Sequence, residues 1–205
     1  MRKLLFIIML LCGAASQMRA QEMRTIFLEA PDTIFPLLSK SYRADMVDYI
    51  DARMTAKVTN SLDGVSILEE LAPDYMRLAA TASSTMQLKL LPFEGDTIIC
   101  VVKSVKAEAT DSRMSFYDKE WNRMDVPLMF CQPSVGDFFV SVADADAWAD
   151  VCDIYLVSLT LSASDNALVA EYTMPAYMNV DDAGKVKSLL RKLTYRWNGE
   201  RFVID

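Results

Sequence analysis

The sequence predicts an α+β protein, mainly antiparallel β-sheet in hairpins and meanders, with N-terminal helices packed on the sheet. Three observations carry this. Apolar residues recur at three- and four-residue spacing early in the chain, the dominant period switches to two beyond Ala56, and turn-forming clusters separate the later β-rich runs.

The first elements read as short helices. Asp32 caps a turn bearing Ile34, Phe35, Leu37 and Leu38, and Pro36 limits its length. From Tyr42 to Met54 the apolar positions Met46, Val47, Ile50 and Met54 share one face, while Arg43, Asp48, Asp51 and Arg53 fall on or near the other, as in an amphipathic helix laid on a flat surface. Gly64-Val65-Ser66-Ile67-Leu68 begins like a nucleophile elbow but lacks the closing glycine, and it is read as a surface turn.

The strands follow. Thr85 to Leu91 sets Met86, Leu88 and Leu90 against Gln87 and Lys89, the alternation of a strand with one buried face. Pro92-Phe93-Glu94-Gly95-Asp96 turns the chain into a β-branched run from Thr97 to Lys106. Arg113 to Tyr117 is a third strand, with Met114 and Phe116 on one face, a turn at Asp118-Lys119-Glu120 and a return through Trp121 to Val126. Pro127 and Pro133 break the pattern, and Ala143 to Val151 suits a short helix. Tyr155, Val157, Leu159 and Leu161 then share one face of a strand that turns at Ser164-Asp165-Asn166 and returns from Ala167 to Thr173. Leu189 to Trp197 and Arg201 to Ile204 flank Asn198-Gly199, a dipeptide suited to the positive φ angles of a type I′ turn. Tyr117 with Trp121 and Tyr195 with Trp197 give the two β regions a weak internal similarity.

The first twenty residues read as an export signal. Arg2 and Lys3 form a positive start, Leu4 to Leu11 an apolar stretch too short to span a bilayer, and Ala20-Gln21 the cleavage point, with Gly13-Ala14-Ala15 as a second one. Residues 1–20 are therefore expected to be removed, leaving 21–205 as a single exported α+β domain with its own core, in the periplasm or outside a Gram-negative-type bacterium. Without the signal the charge is 18 basic against 28 acidic residues, a net of minus 10. That balance disfavours a nucleic-acid partner, and the cluster Lys185, Lys187, Arg191, Lys192 and Arg196 reads as a solvated face.

The chemistry is narrowed by what is missing. The chain contains no histidine, which removes Ser-His-Asp and Cys-His devices, His-bearing zinc hydrolase sites and an imidazole switch. No catalytic residue, cofactor or metal ligand is assigned: cysteines lack metal-ligand spacing, and no glycine-rich phosphate cradle occurs. Asp144, Asp146, Asp150 and Asp153 are the densest acidic group and read as acids near a helix start. Of Cys100, Cys131 and Cys152, the pair expected to bridge, if any does, is Cys131 with Cys152. Tyr117, Trp121 and Trp148 are the candidate contact residues, since a flat ring loses little entropy on binding, and the plentiful methionines could line an adaptable groove or fill the core.

Ile26-Phe27-Leu28-Glu29-Ala30-Pro31-Asp32, Asp45-Met46-Val47-Asp48-Tyr49-Ile50-Asp51, Ala82-Ser83-Ser84-Thr85-Met86 and Phe116-Tyr117-Asp118 with Trp121 together resemble an uncharacterised family of secreted bacterial proteins of about this length, a domain of unknown function. The resemblance implies export and one compact unit, and brings no activity with it. The functional expectation is a non-enzymatic envelope protein that binds an envelope protein, a glycan or an apolar ligand. Two alternatives stand beside it: a carboxylate-dependent glycan hydrolase, and a carrier of lipid or another apolar ligand.

Overall fold

The structure, a computed structural model, describes residues 22–205; the expected export signal lies outside the described residues. The fold is α+β, with mainly antiparallel sheet and N-terminal helices as the sequence predicts. The chain divides into two compact units, one ending at Thr81 and one running from Ala82 to Asp205. No helix among the described residues is long and apolar enough to cross a membrane.

The first unit contains helices α1 (Glu22–Glu29) and α2 (Lys40–Asp51), followed by the antiparallel meander β1 (Ala56–Thr59), β2 (Val65–Leu71) and β3 (Tyr75–Ala79). Helix α2 starts where Ser39 Oγ accepts from the Tyr42 N–H at 3.3 Å, buries Met46 and Val47, and packs on β1. It stops at Asp51, so Met54 falls outside it and is exposed.

Between the helices the expected helical turn at Asp32 is instead a run of turns, because Pro36 lacks the amide that would make the first helical bond back to Asp32. The backbone left unpaired there is gathered by Arg43, only 1% exposed although its pattern suggested the polar face. Its guanidinium donates to the carbonyls of Leu38 and Ala30, both at 2.7 Å, to Leu28 at 3.4 Å and to Asp32 Oδ1 at 3.1 Å, and it lies 5.6 Å from the centre of the Phe35 ring. The Gly64–Leu68 segment is also corrected. Gly64 ends a turn as expected, but Val65 onward is strand, and Ser66 is fully buried, donating to the Ala80 carbonyl at 2.7 Å.

The second unit holds two antiparallel sheets. One is the meander β4 (Ser84–Phe93), β5 (Asp96–Lys106) and β6 (Thr110–Tyr117). The other is formed by β7 (Val157–Leu161), β8 (Ala167–Tyr172), β9 (Leu193–Trp197) and β10 (Phe202–Ile204), in the order β10-β9-β8-β7. Short helices α3 (Val126–Met129), α4 (Val142–Trp148) and α5 (Val180–Leu189) occupy the connections.

The register places Leu91, Ile98, Cys100, Val102, Met114 and Phe116 on one face of the meander, and this face meets the second sheet. Phe116 lies 6.0 Å from Trp197 and 6.4 Å from Phe202, and Trp197 Nε1 donates to the Pro92 carbonyl at 2.7 Å. The opposite face is buried too, at Leu88, Leu90, Ile99 and Val101, which explains the continuous apolar run in β5. β4 is therefore not a strand with one wet face: Gln87 and Lys89 are 3% and 1% exposed, with Lys89 Nζ 3.5 Å from the Ala163 carbonyl.

The turns also redistribute the expected chemistry. Glu94 (φ 49°) and Gly95 (φ 83°) form a two-residue connection of the type I′ kind between Phe93 and Asp96. At Asn198-Gly199 only the glycine has positive φ, and the loop runs from Asn198 to Arg201, because Asn198 Oδ1 accepts from the amides of Glu200 and Arg201 at 3.0 and 2.9 Å. The expected strand from Trp121 to Val126 shrinks to a single bridge between Tyr117 and Arg123. Trp121 is turned to φ 66°, and Asp118 closes a tight loop by accepting from the Asn122 backbone and side-chain amides, both at 2.8 Å.

Candidate functional site

The best-supported site lies in the second unit, where the free sides of β6 and β7 approach each other. β6 pairs with β5 on one side only. On its other side the Phe116 carbonyl accepts from the Met124 N–H at 2.9 Å, and the Thr110 carbonyl accepts from Thr173 Oγ1 at 2.6 Å. These bonds fix the pleat: the backbone groups of Thr110, Ser112, Met114 and Phe116 point away from β5. Between the two ends, the N–H and C=O groups of Ser112 and Met114 have no partner among the described residues.

A groove of about 450 Å³ runs beside this stretch, within the size range of small-molecule and peptide pockets. One wall is β6 from Asp111 to Ser115, and the facing wall is Phe130, Gln132, Tyr155, Val157 and Leu159. Phe130 is anchored edge-on against Tyr195, with centroids 5.3 Å apart and planes at 70°. Burial raises the Tyr195 hydroxyl to about 12. Burial also raises Tyr155, an effect partly offset by the Gln132 side chain hydrogen-bonded to its hydroxyl.

The rim is cationic. Arg113 and Arg123 both line the groove, both are exposed, and neither side chain has an ion-pair or hydrogen-bond partner among the described residues. Arg113 also stands directly across from Lys103 in the register, on the same sheet face. The one carboxylate in the lining is Asp111, whose Oδ1 accepts from the Val157 N–H at 3.5 Å.

β7 presents the opposite situation. Its outward amides are met by side chains of the meander: Leu159 N–H donates to Ser112 Oγ at 3.0 Å, Leu161 N–H donates to Gln87 Oε1 at 3.0 Å, and Gln87 Nε2 returns a bond to the Leu159 carbonyl at 3.4 Å.

Of the residues expected from sequence, Tyr117 and Trp121 are brought together, half-buried, with ring centroids 5.4 Å apart, just beyond the exposed stretch of β6. Trp148 ends α4, half-buried. None of the three lines the groove. Cys131 and Cys152 are free thiols, the first exposed and the second buried, with burial raising the Cys152 thiol. Most of the methionines, including Met23, Met46, Met76, Met86 and Met129, are core, and Met114 alone lines the groove. Sequence reasoning missed Arg113 and Arg123. Their signal was that two arginines bracket a turn next to a strand with one apolar face, and nothing in the pattern said that they lacked acidic partners.

Comparison with known proteins adds the family. The model of a family described as "Protein of unknown function (DUF3256)" matches residues 15–202. The chain belongs to this family. A solved structure described as a domain of an uncharacterized protein from Porphyromonas gingivalis W83 is similar in fold, with a TM-score of 0.78 and 24% sequence identity, covering 90% of this chain and 99% of that one. No curated protein matches the chain.

Proposed function

We propose that this protein is an exported, non-enzymatic binding module of the cell envelope, and that the groove beside β6 takes a ligand through its anionic groups. The observation that carries the reading is the pair of guanidiniums, Arg113 and Arg123, without partners among the described residues, in a groove of mixed polar and apolar lining on a chain that is otherwise strongly acidic. An acidic protein repels anions at long range, so the local positive field makes the groove selective rather than generally sticky. Glycan hydrolysis draws less support, because Asp111 is a lone carboxylate in the lining where that chemistry needs two. A carrier of apolar chains draws less as well, since the methionines expected to line its cavity are mostly core. Export rests on the signal-like first twenty residues.

Native mass spectrometry of protein purified from its own envelope tests this. An anionic molecule is expected to co-purify with the unaltered chain and to fall at least tenfold in the double variant Arg113→Gln, Arg123→Gln. Equal retention by both proteins, or the absence of any bound anion, overturns the reading.

A further inference from the structure

The groove is bounded on one side by a strand whose hydrogen-bonding groups are bare. Ser112 and Met114 present two N–H and two C=O groups outward, spaced as a strand presents them to a neighbour, and among the described residues nothing pairs with them. A small rigid anion would use the arginines and leave these four groups to water. An extended peptide would use both. Its backbone would continue the β4-β5-β6 meander by one strand, and its alternate side chains would point to the two faces of that strand.

Charge selects among peptides. Side chains projecting on the face that carries Arg113 meet that cation, and Arg123 also lines the groove. On the other face the neighbours are Met114, Phe130, Val157 and Leu159, which favour an apolar side chain. The complementary sequence alternates acidic and apolar residues. We infer that the ligand is an extended acidic segment of a partner polypeptide, added as a strand to the free side of β6 between Thr110 and Phe116, with its carboxylates on Arg113 and Arg123. This rests on the anion-binding reading above and specifies the class of ligand.

The test uses the full mature chain and a synthetic peptide roughly six residues long that alternates valine and glutamate. Two further versions carry backbone N-methyl groups, one on the valines and one on the glutamates, because a strand turns only alternate amides toward its neighbour. Tricarballylate serves as an anion without a backbone. The expected result, read by calorimetry, is that the parent peptide binds, that one methylated version binds at least tenfold more weakly while the other is little changed, and that Arg113→Gln with Arg123→Gln weakens the parent at least tenfold. The Ser112 and Met114 amides should gain hydrogen-exchange protection in the complex. If both methylated peptides bind like the parent, or tricarballylate binds while no peptide does, strand addition is overturned and the anion-binding reading stands. If neither peptide nor tricarballylate binds, both fall. If the double variant self-associates and the unaltered chain binds no peptide, the arginines serve only to keep copies of this strand apart, which also overturns the inference.

Discussion

Two strand edges border the same groove in the second unit and are treated in opposite ways. The edge of β7 is closed by side chains, with Gln87, Ser112 and Asp111 taking the amides of Leu161, Leu159 and Val157. The edge of β6 is left open at Ser112 and Met114 and is flanked by charge. An exposed edge is a hazard that folded proteins blunt by covering it or charging it. Here each solution appears once, and only the charged one leaves the backbone available to a visitor. Ser112 takes part in both: its hydroxyl caps the neighbour while its own backbone stays bare.

Amide hydrogen exchange gives the widest separation between the two. The Leu159 and Leu161 amides are expected to exchange on the order of a thousandfold more slowly than those of Ser112 and Met114. Equal rates would mean that the two edges are alike. Removing the cap should come next in size. Gln87→Leu keeps a similar volume but strands the Leu161 N–H and the Leu159 carbonyl in a buried place, at a cost of about 3 kcal/mol in urea unfolding. A loss below about 1 kcal/mol would show that water or another side chain takes over.

The smallest effect concerns pH. Burial raises Tyr195, which backs the Phe130 wall of the groove, from 10.0 to about 12. A raised folded value favours the protonated native state, so the stability it contributes is complete below pH 10 and is lost as the pH rises through about 12. A thermal melt across that window, followed by tyrosinate absorbance, should show the loss, and Tyr195→Phe should lessen it, the remainder coming from Tyr172 and Tyr155, which burial also raises. The caps of β7 at Gln87 and Ser112 are an amide and a hydroxyl that do not titrate there, so they contribute nothing to that slope.

Much of the fold was legible from periodicity. Most strands of the second unit, helix α2 and the turn at Gly95 stand close to where the pattern places them, because apolar spacing and turn residues act locally, whereas the strand expected from Leu189 begins only at Leu193, since Leu189 closes helix α5. The misreadings share one cause. Arg43, Ser66, Gln87 and Lys89 look like surface residues, and each is buried because it meets backbone or side-chain groups that come from elsewhere in the chain. Gln87 finds its partners 72 and 74 residues away, a relation no local window contains. The candidate site was hidden for the same reason: aromatic rings could be named from composition, but whether an arginine has an acidic neighbour is a property of the assembled sheet. Asn198-Gly199 failed differently, since the asparagine side chain formed its own local hydrogen bonds and lengthened the loop.

Arg43 carries a further consequence for the first unit. The stretch from Leu28 to Leu38 converges on a single guanidinium, which takes the carbonyls of Leu28, Ala30 and Leu38 that the local turn bonds leave over. Its flat, rigid fork is what lets one side chain meet three carbonyls at once, so even a charge-preserving Arg43→Lys leaves part of that backbone unsatisfied.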